Sequence, residues 1–498
     1  MQFVWNEELY QEIAAAVQFG TVVDGSTRVY DITAADYAPL IRPVSENYFI
    51  HPDGPYQGEK KEIGHDETYK NKKLRRQEQT VSFYGNAIQQ AIDDAFAAGG
   101  GRVLVPAGTY YTGAIELKSN VEIHLAKQAV LRFVRNKSNT YYPLVFSRWE
   151  GVECLNFSPF IYAFAAENIA VTGPGTLDGA ADEFNWMPWK FGYFGERNQE
   201  VQRQRLFAFG EAGVPVEQRL FADTVSTLRP PFIQPYRCKN VRIEDVHIIN
   251  SPFWEINPVL CQNVKISRVQ IATNLYNNDG VDPESCSNVL IEDCSFLTGD
   301  DCIAIKSGRN NDGRRIGVPS QNIIIRGNHF GDGHGGITIG SEISGGVQNV
   351  FAHDNYFDSA QLDYPIRFKT NSYRGGKLEN VYIKDSVVNK SKLAVVHADF
   401  FYEEGDSGPY LPKLRNITLE NIQTAPGGLI DAEHALYLKG FTAAPIENVT
   451  LQHVRLNGVQ GETVLRNVKD LRLIDVRING KQQKDQVICA DDAGIISV

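Results

Sequence analysis

The segment Cys238-Lys239-Asn240-Val241-Arg242-Ile243 returns as Cys261-Gln262-Asn263-Val264-Lys265-Ile266 and again as Cys286-Ser287-Asn288-Val289-Leu290-Ile291. Outward from these copies, the same phrase opens at Asn168, Asn322, Asn349, Asn380, Asn416 and Asn448, with a weaker copy at Asp470. It consists of an Asn, an aliphatic residue and a short alternating strand. From Asn240 the successive steps are 23, 25, 34, 27, 31, 36 and 32 residues. A constant minimum with variable excess describes a coil of fixed circumference that carries loops of different length on one side. Strands, turns and Asn at this period predict an all-β parallel β-helix; the Leu spacing of leucine-rich repeats is absent. Asn tolerates left-handed backbone and can bond its stacked neighbours, so the Asn column is expected to be structural. Cys238, Cys261 and Cys286, each two residues ahead of an Asn, are expected to stack as small apolar side chains rather than bind metal or form disulfides.

A chain of 498 residues would make two or three ordinary domains, but a solenoid escapes that rule. The net charge of −11 makes nucleic acid and anionic membranes poor partners. The first twenty residues contain Glu7, Glu8 and Glu12 and no uninterrupted apolar core, so no signal peptide is read; no run is long enough to span a membrane. On this reading a cytoplasmic location is favoured, a secreted or periplasmic one if a leader has been removed.

Residues 1–80 read as an extension or cap, with a helical pattern at Glu7–Phe19 and a charged stretch at Glu59–Gln79. The β-helix is expected over 81–498. At its start, Asn86–Ala98 predicts a helix with Ala87, Ile88, Ala91, Ile92 and Phe96 on one face, ended by Gly99-Gly100-Gly101. Such a helix would cover the open end of a solenoid. The longest interruption, 180–231, reads as a loop excursion flanking a cleft; its Trp186 and Trp189 either stack on sugar rings or pack the excursion.

Three carboxylates fall close together, in Asn277-Asn278-Asp279-Gly280 and Gly299-Asp300-Asp301-Cys302. Gly333-His334-Gly335-Gly336 and Arg367-Phe368-Lys369 follow at repeat-like intervals. Aligning Ile303-Ala304-Ile305-Lys306 with Ile337-Thr338-Ile339-Gly340 and Ile366-Arg367-Phe368-Lys369 puts the Ile and Phe residues in the core. Ala304, Thr338 and Arg367 then face outward, His334 lies over Asp300, and Gly340 leaves room beside Lys306 and Lys369. Two carboxylates held apart, one kept protonated, can hydrolyse a glycosidic bond, and crowding is expected to raise the pKa of at least one acid. Arg367 and Lys369, with Lys306, Arg309, Arg314, Arg315, Arg374 and Lys377 nearby, suit a polyanionic sugar.

The set Asn-x-Asp, Gly-Asp-Asp, Gly-His-Gly and Arg-x-Lys, over about Phe83 to Thr424, resembles glycoside hydrolase family 28, the polygalacturonases. The resemblance implies a right-handed β-helix and inverting hydrolysis of α-1,4-linked galacturonate; the N-terminal helical cap is read from the residues themselves. It implies Asp300 as general acid, Asp279 and Asp301 as activators of water, and His334 as a partner of the acid. Arg367 and Lys369 would bind the substrate carboxylate, with Lys306, Asn277 and Tyr402 as further substrate contacts. Two departures, Asn278 in place of Thr and Phe368 in place of Ile, leave the acids and cations intact. The missing leader and disulfides look closer to bacterial exo-acting members. No cofactor is expected; the partner is a pectic oligo- or polysaccharide, and the protein reads as a monomer. Rhamnogalacturonan or xylogalacturonan hydrolysis, a calcium-dependent pectate lyase using the three Asp residues, and a non-catalytic pectin-binding solenoid are the competing readings. An inverting pair should stand about 6.5–9.5 Å apart.

Overall fold

The computed structural model describes residues 4–20, 27–57, 65–223 and 225–491. It divides into two compact units, one of Phe19–Asp279 and one of Met1–Gln18 with Gly280–Val498. Both are built of right-handed parallel β-helix coils. None of the described helices is long and apolar enough to cross a membrane.

In the 19–279 unit, strands Gly101–Val105, Val121–Leu125, Glu167–Thr172, Lys239–Glu244 and Gln262–Ser267 stack in parallel. A second ladder joins Gly108–Thr112, Ala129–Phe133, Thr176–Asp178, His247–Ile249 and Gln270–Ala272. The alternating aliphatics, such as Val103, Ile123, Val171, Ile243 and Ile266, point inward and are buried. The helix Gly85–Ala97 buries Ala87, Ile88, Ala91, Ile92 and Ala95. Phe96, expected on that face, is 47 % exposed and lies under the Lys118 ammonium. It sits one residue past the buried Ala95, and the helix turns it outward. The charged stretch 59–79 proves to be partly a strand: Arg75–Phe83 pairs antiparallel with Arg42–Ile50. Residues 59–64 lie outside the described residues. The excursion carries helices Met187–Phe191 and Glu200–Glu211. Trp186 and Trp189 are both buried, their rings 5.2 Å apart, so they pack the excursion and are not available to a sugar.

In the other unit, Ser287–Glu292, Ser320–Arg326, Val347–His353, Lys377–Lys390, Lys413–Gln423 and Ile446–Gln452 form one parallel ladder. The helix Glu7–Ala16, shorter than the sequence pattern suggested, lies against this ladder. Leu290, Ile324, Phe351 and Tyr382 form an outward apolar column in strict register, and Tyr10, Ile13 and Val17 cover it. The helix therefore covers the side of a sheet. A second sheet stacks Ile303–Ile305, Gly335–Ile339, Tyr364–Lys369, Ala394–Asp399, His434–Lys439 and Val464–Arg466. This sheet carries the candidate site.

The Asn column is present in both units. Asn120, Asn168, Asn240 and Asn263 form one run, and Asn288, Asn322, Asn349, Asn380, Asn416 and Asn448 another, all with φ between 53 and 62°. Each side-chain amide donates to the previous Asn carbonyl, at 2.8–2.9 Å in the first run and 2.7–3.3 Å in the second. Among the described residues no cysteine forms a disulfide; Cys238, Cys261 and Cys286 are buried, and the Cys238 N–H points at Cys261 Sγ, 3.4 Å away. Replacing Asn349 with Ala would impose a left-handed alanine and break two links of the ladder. The expected loss is about 2–4 kcal/mol, read as a lower urea midpoint. Asn349→Gly, which tolerates the φ, should lose about half as much.

Candidate active site

The outer face of the second sheet is built by alternation. Ile303, Ile305, Ile337, Ile339, Ile366 and Phe368 point inward and are buried. Ala304, Thr338 and Arg367 pair across successive coils, as the sequence alignment expected. Ahead of the strand Ile303–Ile305 the chain turns at Asp300-Asp301. The Asp300 carbonyl accepts from the His334 N–H at 3.0 Å and from the Thr298 hydroxyl at 2.8 Å. The Cys302 N–H donates to Gly335 at 2.7 Å and the Gly280 N–H to the Asp301 carbonyl at 3.0 Å. These bonds hold two consecutive carboxylates in fixed, different directions. Asp300 reaches His334, with Oδ1 3.3 Å from Nδ1. Asp301 is fully buried and accepts from Arg367 at 3.2 Å and Lys369 at 2.5 Å. The guanidinium of Arg367 also lies 4.6 Å from the Tyr364 ring, and Lys369 5.3 Å from the Tyr402 ring.

Glycine makes room for this arrangement. A Cβ on Gly340 would stand 2.0 Å from the Lys369 carbonyl oxygen, at a φ of +117° that side chains rarely adopt. A Cβ on Gly335 would meet Asp301 Oδ1 at 2.6 Å.

An oxygen of Asp300 lies within 4.8 Å of one of Asp301. The expected rise in carboxyl pKa is not found in this pair. Burial pushes the Asp300 carboxyl up, but the charge and hydrogen bond of His334, with Lys369 and Lys306, hold it well below the usual range. Burial likewise opposes ionisation of Asp301, and Lys369 and Arg367 outweigh it. The acid that crowding and burial do raise is Asp282, which the sequence reading passed over. It is fully buried, and Lys306 at 3.7 Å does not offset the desolvation. Its signal was legible: Val281 pairs with Ile303, so Asp282 shares the outward column of Ala304, Thr338 and Arg367.

The other predicted cations are mostly engaged. Lys306 is 2 % exposed and held by Glu342 at 3.3 Å, so it acts on the two Asp residues through its charge. Arg309 and Arg374 grip Glu404 at 2.6 and 3.0 Å, and Arg374 grips Glu403 at 2.8 Å. Asn371 donates to the Tyr402 carbonyl at 2.9 Å. These contacts fix the loop that carries Tyr402. Arg315 pairs with Asp312, and Arg314 lies 3.6 Å over Tyr410. The expected open basic patch is therefore largely a buried ion-pair network that places Tyr402.

Asn277 and Asp279 belong to the 19–279 unit. There Arg229, buried and unremarked in the sequence, donates to Asn277 Oδ1 at 2.7 Å and to the carbonyls of Tyr276 and Pro252 at 2.9 and 2.8 Å. Asn278 donates to Ser251 and accepts from Leu275, and the Asp279 carbonyl accepts from Glu255 at 2.9 Å. Both Asn278 and Asp279 are buried. The excursion joins this support through Gln199, which accepts from Arg229 at 2.9 Å.

The family model for glycosyl hydrolases family 28 matches residues 222–477, a span holding every one of these predicted site residues. The chain belongs to glycosyl hydrolases family 28. Among similar proteins, a probable polygalacturonase of Vitis vinifera is 26 % identical over 384 residues, 73 % of this chain and 70 % of that protein. An exo-poly-alpha-D-galacturonosidase of Dickeya chrysanthemi is 28 % identical over 362 residues, 68 % of this chain and 58 % of that protein. The crystal structure of a hyperthermoactive exopolygalacturonase from Thermotoga maritima superposes with a TM-score of 0.82 at 35 % identity, covering 97 % of this chain and 98 % of that one. The likeness of this family 28 hydrolase to that structure thus extends over nearly the whole chain.

Two predictions follow from the geometry. Asp300 raises His334 above its ordinary 6.5 by charge and hydrogen bond, against burial. A raised histidine stabilises the fold fully below about pH 6.5 and loses that contribution as pH climbs through its folded value. A depressed carboxylate stabilises above about pH 4 and loses its contribution as pH falls. Calorimetry should therefore show the thermal midpoint falling on the alkaline side, and His334→Gln should remove part of that fall. Gly340→Ala, by displacing Lys369, should lower kcat/KM about a hundredfold or more.

Proposed function

We propose that this family 28 hydrolase cleaves α-1,4-galacturonosidic bonds and releases galacturonate from chain ends. The observation that carries the reading is the convergence of Arg367 and Lys369 beside the Asp300–His334 pair on one outer face. Cations there suit a sugar that bears a carboxylate at the bond being broken. Exo action is supported by the similarity to the Thermotoga maritima exopolygalacturonase over nearly its full length.

In this reading Asp300 protonates the leaving oxygen, and Asp279 with Asp301 activates water. A substrate carboxylate drawn to Arg367 and Lys369 adds negative charge near Asp300 and shares its cations. Both effects raise the proton affinity of Asp300, so the general acid acquires its proton as substrate binds. His334 keeps the carboxyl oriented.

Chromatography of products from polygalacturonic acid, with and without chelator, tests the substrate and the mode. Galacturonate monomer should appear from the outset and be unaffected by chelator. An oligomer ladder would reject exo action; an ultraviolet-absorbing, chelator-sensitive product would mark a lyase. Proton NMR should show the β-anomer first, the outcome of inversion. A first-formed α-anomer would instead show retention and overturn the inverting assignment. Asp300→Asn should lower kcat by about 10³-fold or more with the fold intact.

A further inference from the structure

The outward columns of the site sheet continue past Arg367 and Lys369. Lys369 pairs in register with Asp399, Asp399 with Lys439, and Lys439 with Arg466. Beside it, Arg367 pairs with His397, and His397 with Tyr437. The alternate residues Val396, Ala398, Leu436, Leu438 and Leu465 are buried inward, so these columns face out. Coils about 4.8 Å apart put Lys439 roughly 10 Å and Arg466 roughly 14 Å along the face from Lys369. Both lie beyond the sugar that Lys369 itself would hold.

The two cations share one support. The Lys439 ammonium stands 4.3 Å from the centroid of the Phe401 ring, and the Arg466 guanidinium 5.6 Å from the same centroid. A ring face attracts a cation without neutralising it. Among the described residues Lys439 forms no ion pair. The one acid in the column, Asp399, accepts from the Phe401 N–H at 2.8 Å and so helps to hold Phe401 in place. His397 is stacked between Tyr364 at 4.1 Å and Tyr437 at 5.1 Å. Burial, followed by the charges of Arg367, Lys369, His434 and Lys439, pushes it down to about 3, so it adds no charge. The stretch therefore offers positive charge over an aromatic ring, on the same face as the reacting groups.

We propose that Lys439 and Arg466, supported by Phe401, form a second carboxylate-reading position for the galacturonan chain, beyond the cleavage point. The inference rests on galacturonan being the substrate. Two cations in register on adjacent coils gain from an anion that binds both.

The test compares kcat/KM for di-, tri-, tetra- and pentagalacturonate in the wild type, Lys439→Gln, Lys439→Arg and the Lys439→Gln/Arg466→Gln double variant. In the wild type kcat/KM should rise with chain length. Lys439→Gln should flatten that rise, losing about tenfold on the pentamer, the size of one charge-assisted contact, and less on the dimer. Lys439→Arg should restore most of it. A wild type indifferent to length, or a rise left intact in the single Lys439→Gln variant, overturns the proposal. If the double variant fails to fold, by circular dichroism, the single variants decide. A wild type inactive on every oligogalacturonide would instead reject the substrate reading itself.

Discussion

Parallel stacking in register is the constraint on which this protein depends. Once Ile303, Ile337 and Ile366 share one inward column, period-two alternation leaves the neighbouring positions no choice but to share an outward one. The Asn runs hold that register from the side, each Asn supplying a left-handed corner and a hydrogen bond to the next coil. A slip of one residue would bury Arg367 and expose Phe368. Chemistry on such a surface is a matter of columns, since any two residues on one column stand a whole number of coil spacings apart.

Electrostatics then decides which groups on the face are available. The molecule is acidic overall, yet buried cations meet buried acids beneath and beside the site. Glu342 illustrates this: burial disfavours its charge, and Lys306, Arg374 and Arg309 together hold it well below the usual range. The network spans Lys306, Arg309, Arg374, Glu342, Glu403 and Glu404 and fixes the loop of Tyr402. Breaking one partner of such a buried pair leaves the other charge stranded, at a cost of about 3–5 kcal/mol. Asp301, fully buried, plays the matching role for Arg367 and Lys369.

The alignment of three strands from sequence located Asp300 under His334 and Arg367 beside Thr338, because alternation and repeat spacing are local properties of the chain. Extended one coil further, the same alignment reaches His397 and Asp399, then Tyr437 and Lys439. Those residues were missed because His-x-Asp and Tyr-x-Lys match no motif, not because the register hid them. Carrying it one coil back would have found Asp282 through Val281. Burial could not be read in this way. Lys306 lies on an outward column, yet Glu342 and the loops above it enclose it. Phe96 looked like core by helical spacing and is exposed, and of the two readings open for Trp186 and Trp189 burial selects packing of the excursion.

The sequence by itself therefore determined the coil, its register, the Asn columns and the order of acids, imidazole and cations along the face. Each follows from a repeat spacing or a two-residue alternation carried within one stretch of chain. Only the tertiary structure decided which outward side chains meet solvent, that Asp300 and Asp301 are held ionised, and that Arg229 braces the turn before Asp279. Those outcomes depend on loops from distant coils closing over a column, which sets desolvation and charge pairing at once. No local spacing encodes how far a loop will reach.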